Sequence, residues 1–450
     1  MNKTKIICTL GPASYDKNIL QALIQTGLNV ARFNFSHAQY EQTKFLMKTI
    51  KTISDKLDKH TGLMLDTKGP EIRTHEFDGI VTIQKDSEVR ISMKEVLGNA
   101  KLFSVSYTNL YNELKVGDMV NIDDGYLSLE VVGKDEAKQQ LVTKAKNTHS
   151  IKSRRGVNIP KVNLEMDFIS PKDYQDIVFA AQQDFDYIAA SFVRKAQDVK
   201  DIRKILQEQG NSNIQIISKI ENQEGVDNLE EIIQESDGIM VARGDLGIEV
   251  DGELVPLYQT RMITKCLEYG KPVVVATQML ESMQRNPRPT KAEISDVFNA
   301  VKEGTTFTML SGESASGEYP VEAVTYMKKI NYQAEKVVNY QALSKVYQPK
   351  NSKENFLLSA VELALRTDVK AIVVYDLEDA YNVSKFHPSV PVLALVKTEK
   401  EARRLVLNFG VFPFVYETKL KNKLEELTQN QSSNCLVFKD GMLFLNNNIK

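Results

Sequence analysis

The chain has 450 residues, with 57 lysines and arginines against 59 aspartates and glutamates, a net charge of −2. That near-balance excludes a dedicated nucleic-acid binder or a polybasic membrane protein, either of which would carry a cationic surface. At 42% apolar and 26% charged residues the composition is that of a folded chain, long enough for about three domains. No run approaches the roughly 18 apolar residues of a membrane span, and Cys8, Cys266 and Cys435 have the spacing of neither a zinc site nor a disulfide framework.

In chain order, short apolar runs ending in polar or glycine residues alternate with helical patterns. The first run is 5–10, closed by Gly11-Pro12; its apolar stretch Ile6-Ile7-Cys8 is too short for a signal peptide, and a cytoplasmic protein is expected. Runs at 29–36 and 63–68 follow, and after a long interruption come 187–193, 215–221, 238–243, 272–277 and 307–311. Near-continuous apolar runs of this length predict parallel strands buried on both faces. Helices are predicted over 17–25, 40–57, 171–183, 196–209, 257–269 and 290–302, the last opening on Thr290 and Glu293 at capping-box spacing. Eight strands alternating with helices is the count of a TIM (β/α)8 barrel, with a doubly wound open sheet as the alternative.

The interruption has a different texture. Runs at 81–83, 88–91, 119–122, 127–131 and 141–143 alternate or nearly alternate, and Gly117-Asp118 and Asp123-Asp124-Gly125 bracket one of them. Punctuated short strands predict a small all-β insert over 74–159. It leaves after the third strand, where loops of the barrel's C-terminal face sit, so it is placed as a lid. The barrel is then expected over 1–73 and 160–335, followed by a C-terminal α/β domain over 336–450 with a helix at 355–365, strands at 371–375, 390–396 and 411–415, and a helix at 400–408. The polar tail, 430–434 and 446–448, carries no motif.

Catalytic groups of such barrels project from the C-terminal ends of strands. Here those ends carry Arg32, Asn34 and Ser36; Asp66, Thr67 and Lys68; Lys219 and Glu221; Arg243, Gly244 and Asp245; Thr277 and Gln278. Unpaired buried charge is costly, so this is not a packing solution. Lys219 and Glu221, two apart on a strand, point to one face, and Asp245 ends the next strand. Two carboxylates plus substrate oxygens suit Mg²⁺, and the lysine favours an anion; the isolated pair reads equally as a structural ion pair. Gly244, at a strand-to-helix turn, exposes backbone N–H groups to an anion, though a glycine turn is usually only a turn. Asn34, Ser36, Asp66 and Thr67 form an oxygen-rich set suited to a larger, softly bound cation, while their residue types alone favour ordinary polar packing. Thr277 either bonds a substrate anion or caps a helix, and His37 reads as structural.

Several longer blocks go further: Ala31-Arg32-Phe33-Asn34-Phe35-Ser36-His37, Leu65-Asp66-Thr67-Lys68-Gly69-Pro70-Glu71, Ile217-Ser218-Lys219-Ile220-Glu221-Asn222, Met240-Val241-Ala242-Arg243-Gly244-Asp245-Leu246-Gly247 and Ala276-Thr277-Gln278-Met279-Leu280-Glu281. Together with Pro287-Arg288-Pro289-Thr290 and Met309-Leu310-Ser311-Gly312-Glu313, in this order, they resemble the pyruvate kinases. The resemblance implies phosphoryl transfer from phosphoenolpyruvate to ADP, giving ATP and pyruvate, in a glycolytic, typically tetrameric enzyme. It implies that Arg32 contacts the phosphoryl group, that Lys219 stabilises the transition state, and that Gly244, Asp245 and Thr277 line the substrate pocket. Glu221 and Asp245 would hold Mg²⁺, and Asn34, Ser36, Asp66 and Thr67 would hold K⁺. The 34–37 loop (Asn34, Phe35, Ser36, His37), Arg73 and Lys172 match nucleotide contacts. Glu71 resembles the K⁺-dependent type of the family.

Departures from the family pattern also carry expectations. The turn after the first C-terminal-domain strand reads Tyr375-Asp376-Leu377-Glu378-Asp379-Ala380, three acids and no glycine, where sugar-bisphosphate-activated members have a small-residue phosphate loop; activation by fructose 1,6-bisphosphate is not expected there. Glu165-Met166-Asp167 beside the lid hinge, Thr306, and the ending from Asp440 also differ from the family pattern. Two other readings are a barrel aldolase with Lys219 as Schiff-base nucleophile and a non-enzymatic scaffold. The carboxylates flanking Lys219 disfavour the first, and their presence disfavours the second.

Overall fold

The computed structural model describes residues 1–428 and 435–446. Eight parallel strands close a barrel: β1 (Lys5–Thr9), β2 (Val30–Asn34), β3 (Gly62–Asp66), β4 (Tyr187–Ala190), β5 (Gln215–Ile220), β6 (Gly238–Ala242), β7 (Val273–Ala276) and β8 (Phe307–Leu310). Each pairs with its sequence neighbour and β8 pairs with β1, so the closed barrel replaces the open-sheet alternative.

Side-chain parity explains both the core and the site. Val30, Met64, Tyr187, Ala189, Ile217, Met240, Val274 and Phe307 fill the barrel interior, while Ala31, Leu63, Leu65, Ile188, Ile216 and Val275 pack outward against the helices. Strand side chains alternate faces, so two residues beyond each interior position the chain delivers Arg32, Asp66, Lys219 and Ala242 to the C-terminal rim. The expected helices form as Lys17–Thr26, Tyr40–Leu57, Pro171–Gln182, Ala196–Glu208, Val255–Tyr269 and Lys291–Glu303, the last with the Thr290–Glu293 capping box in place. Leu229–Glu235 and Pro320–Ala334 complete the outer ring without having been expected; the first spans seven residues, too few for a clear period, and the second opens on Pro320 at its first turn, a helix-start signal that periodicity alone does not use.

After β3 the chain builds a seven-stranded sheet and a two-stranded ribbon over their own core, with Ile83, Val89, Ile91, Phe103, Val120, Leu129 and Leu141 fully buried. Ile72–Arg73 already pairs in this sheet, with Gly156–Asn158, and Ile72 and Ile159 belong to its core. The C-terminal part is a five-stranded sheet in the order Val411–Phe414, Val392–Leu395, Ile372–Val374, Cys435–Lys439, Met442–Asn446, with helices on its two faces. Val406 and Leu407 from this part sit in the barrel-interior cluster and plug its N-terminal end. The polar segments 430–434 and 447–448 lie outside the described residues.

Candidate active site

The strand ends converge on a buried network of charge. Arg32 Nε donates to Asp66 Oδ2 at 2.6 Å and its Nη1 to Thr9 Oγ1 at 2.7 Å. Lys219 Nζ lies 3.1 Å from Asp66 Oδ1 and 3.0 Å from Glu221 Oε1, and donates to Ser191 Oγ at 2.6 Å. Arg32 is 8% exposed, Lys219 7%, Asp66 1% and Glu221 fully buried. Charges this deep persist only when paired, and the ends of three strands, β2, β3 and β5, supply the pairs.

The titration shifts follow from the geometry. Burial opposes the charged forms of Asp66 and Lys219, but their mutual attraction outweighs it. Arg32 and Lys219 hold the Asp66 carboxyl below its usual range, and Asp66 and Glu221 hold the Lys219 ammonium above its own. Lys219 is therefore a fixed cation, not a Schiff-base nucleophile. At Glu221 burial wins: with Asp245 and Asp66 adding to it and Lys219 opposing, the carboxyl is pushed up to about 8. Its Oε2 accepts the Phe192 N–H at 2.6 Å, whereas Oε1, fully buried, meets the Lys219 ammonium as an ion pair at 3.0 Å without hydrogen-bond geometry. A buried carboxylate with one oxygen held by the lysine charge alone, and a second acid just after the next strand, is a donor set that suits a hard divalent cation.

Asp245 lies in the first turn of the helix Arg243–Glu249, directly after β6. Gly244 N–H donates to Thr277 Oγ1 at 2.7 Å, and a Cβ at this glycine would stand 3.3 Å from that oxygen, so only glycine gives so close an approach without displacement. Thr277 ends β7 in the left-handed region, φ 67°, which turns its hydroxyl to the rim.

A cavity of about 370 Å³ separates the insert from the rim; His37, Arg73, Asp124, Arg155, Asp245 and Glu249 are among its walls. Asp124 comes from the insert, and burial together with Asp123 and Asp245 pushes its carboxyl up. Arg73 donates to Glu71 at 2.8 Å. Asn34, Asp66 and Thr67 stand at the ends of β2 and β3, where Asn34 is in register with Asp66, its Oδ1 accepts the Ser36 N–H at 3.0 Å, and Thr67 Oγ1 accepts the Ser191 N–H at 3.1 Å. Phe35 is placed in the core against Tyr40, Phe179 and Phe185, so only its backbone faces the rim. Lys172 sits behind it, paired with Asp176 at 2.6 Å. The groups found in the network without having been singled out are Thr9 Oγ1, Ser191 and the Phe192 N–H. Parity along β4, where Tyr187 and Ala189 face inward, was the signal for Ser191.

A buried cation clasped by acids at the mouth of a parallel barrel, beneath a cleft, defines an enzyme acting on a small anion. Family models agree: that for "Pyruvate kinase, barrel domain" matches residues 1–324 and that for "Pyruvate kinase, alpha/beta domain" matches 354–443. The pyruvate kinases of Staphylococcus haemolyticus and Bacillus licheniformis are 47% and 46% identical to it, each over 421 residues, which is 92% of this chain and 72% of the relative. A crystal structure of a pyruvate kinase from Cryptosporidium parvum matches with a TM-score of 0.92 at 36% identity, over 99% of this chain and 96% of that one. The chain belongs to the pyruvate kinase family, phosphotransferases that carry the phosphoryl group of phosphoenolpyruvate to ADP and require metal ions.

Proposed function

We propose that this chain performs the family reaction at the β2–β3–β5–β6–β7 rim, with Lys219 as the group that stabilises the transition state. The observation that carries this reading is the Lys219 ammonium, buried and fixed between Asp66 and Glu221. Phosphoryl transfer asks the protein for positioning and charge neutralisation more than for covalent chemistry. As the bond from phosphorus to the enol oxygen breaks and that to the ADP β-phosphate oxygen forms, charge builds on the transferred oxygens and on the departing enolate. Arg32 meets the first and Lys219 the second; the enolate then takes a proton at its methylene carbon to become pyruvate. Gly244 N–H and Thr277 Oγ1 orient the substrate carboxylate.

Glu221 and Asp245 would hold Mg²⁺, and Glu221 Oε1, buried beside the Lys219 charge yet accepting no hydrogen bond, supports that assignment. The oxygens of Asn34, Ser36, Asp66 and Thr67 would hold K⁺. Bound there, the two cations would supply Lewis-acid charge against phosphate and enolate oxygens. Arg73, Lys172 and the 34–37 backbone are assigned to the nucleotide, with Arg73 and His37 already on the cavity wall. The insert, expected to close as a lid, would exclude water that competes for the phosphoryl group. Among the described residues no helix is long and apolar enough to cross a membrane; cytoplasmic location and a homotetramer complete the reading.

The test is pyruvate release from phosphoenolpyruvate and ADP with Mg²⁺, with and without K⁺. Turnover rising steeply with K⁺ supports the kinase and cation-site assignments. Unchanged rates with a large organic cation in place of K⁺ remove the second, and no turnover from folded protein removes both.

A further inference from the structure

The Lys219 ammonium has three N–H donors and three neighbours. Two are carboxylates with other duties: Asp66 also accepts from Arg32, and Glu221 also accepts from the Phe192 N–H. The third is the neutral hydroxyl of Ser191, and it makes the shortest of the three contacts, 2.6 Å against 3.1 and 3.0 Å. Ser191 follows β4 and therefore lies between β3 and β5 around the barrel. It is 2% exposed. Its Oγ donates to Thr67 O at 2.7 Å or to Asp66 Oδ1 at 3.1 Å, and its N–H donates to Thr67 Oγ1 at 3.1 Å. One residue thus fastens itself to the end of β3 at two points and presents a lone pair to the lysine of β5. The next residue, Phe192, takes φ 55° and turns its N–H onto Glu221.

We propose that Ser191 is a positioning residue for phosphoryl transfer: it fixes the Lys219 ammonium by a contact that involves no charge, and ties it to the Asp66–Thr67 strand end. The proposal rests on the reading of Lys219 as the transition-state group. A lysine has a long, rotatable stem and a point charge. Held by carboxylates alone, it would follow whichever of them a substrate or cation draws away; the serine hydroxyl gives it a partner that neither competes for. The step Ser191 serves is the one in which negative charge appears on the enol oxygen, so its loss belongs in kcat rather than in ground-state binding.

Three single variants separate positioning from packing: Ser191→Ala removes the hydroxyl, Ser191→Cys keeps the size with a weak acceptor, and Ser191→Thr keeps the hydroxyl. The expected result is that S191A and S191C lose about 10- to 100-fold in kcat, with the KM for phosphoenolpyruvate and the thermal midpoint near those of the wild type, and that S191T recovers most of the loss. A folded S191A with wild-type kcat overturns the proposal. So does a raised KM at unchanged kcat, a loss of activity that tracks a fall in thermal midpoint, or a folded S191T as slow as S191A. A wild type that turns over beside an unaffected S191A removes the role of Ser191 alone; a folded wild type that makes no pyruvate removes the reading of Lys219 beneath it.

Discussion

At the scale of single residues, Glu221 is where the fold's demands and the site's demands diverge. Burial, reinforced by Asp245, pushes its carboxyl from 4.5 up to about 8. Between those two values the folded protein retains a proton that the unfolded chain has released, so stability falls as pH rises across that window. A divalent cation bound by Glu221 must displace that proton, and its binding strengthens over the same range. The rise in thermal midpoint on adding Mg²⁺ is therefore expected to be larger at pH 8 than at pH 6. Glu221→Gln should flatten both the pH slope and the Mg²⁺ response while lowering kcat by about 10²-fold or more. A Mg²⁺ response that Glu221→Gln leaves intact would place the metal elsewhere.

At the scale of elements, the loop after β7 carries strain that other elements hold in check. Thr277 and Gln278 are consecutive non-glycine residues at positive φ, 67° and 52°, a conformation costing on the order of 1–3 kcal/mol each. Arg243 Nη2 donates to both of their carbonyls, at 2.8 and 3.2 Å, while its Nη1 is anchored on Asp296 at 2.8 Å. Glu313 fastens the far side by accepting the Leu280 and Ser311 N–H groups at 3.0 and 2.7 Å. Arg243→Gln should let the loop relax and withdraw Thr277 from Gly244, raising the KM for phosphoenolpyruvate about tenfold (a loss of about 1.4 kcal/mol) with a smaller change in kcat; steady-state kinetics read the difference. In the C-terminal sheet the turn at Asp376 is already self-satisfied. Asp376 caps its helix by accepting the Asp379 N–H at 2.7 Å, and Lys353 is taken by Asp379 at 2.7 Å. Carboxylates in this arrangement repel an added bisphosphate, so fructose 1,6-bisphosphate should leave the phosphoenolpyruvate saturation curve where it is; a clear leftward shift with micromolar activator would refute that.

How much of this was legible in the sequence also depends on the element. The barrel strands announced themselves because parallel strands covered on both faces must be apolar throughout, so the charged residues ending them stood out. Ser191 did not stand out, since within the apolar run 187–193 a neutral serine carries no charge to mark it as the carboxylates and lysine are marked; only the inward parity of Tyr187 and Ala189 singles it out. The final hairpin, Cys435–Lys439 with Met442–Asn446, was not expected either. Its strands are short and flanked by asparagine-rich sequence, and the register that makes them a sheet comes from a distant partner, Ile372–Val374.

At the scale of the whole molecule, the barrel is closed at one end by chemistry and at the other by the C-terminal domain. The junction is held by a buried ion pair. Arg403, on the helix Glu399–Leu405, donates through Nε to Asp186 at 3.0 Å and through Nη2 to Asp184 at 2.7 Å, and its carbonyl accepts the hydroxyl of the fully buried Tyr187. Burial pushes the Asp186 carboxyl up to about 6 even though Arg403 opposes it. Arg403→Met leaves that carboxylate buried with the Leu63 N–H as its remaining backbone donor, and breaking such a pair costs about 3–5 kcal/mol. The cost must depend on pH with a definite sign. Without its cation Asp186 escapes the penalty by taking up a proton, so the deficit seen by chemical denaturation should be largest at pH 8 and shrink toward pH 5. Asp186→Asn in the same background removes the charge and should recover part of the stability at pH 8 while changing little at pH 5. The site lies at the opposite end of the barrel, so kcat of the fraction that remains folded should be unchanged. A deficit equal at both pH values would mean that Arg403 holds the junction by packing rather than by charge.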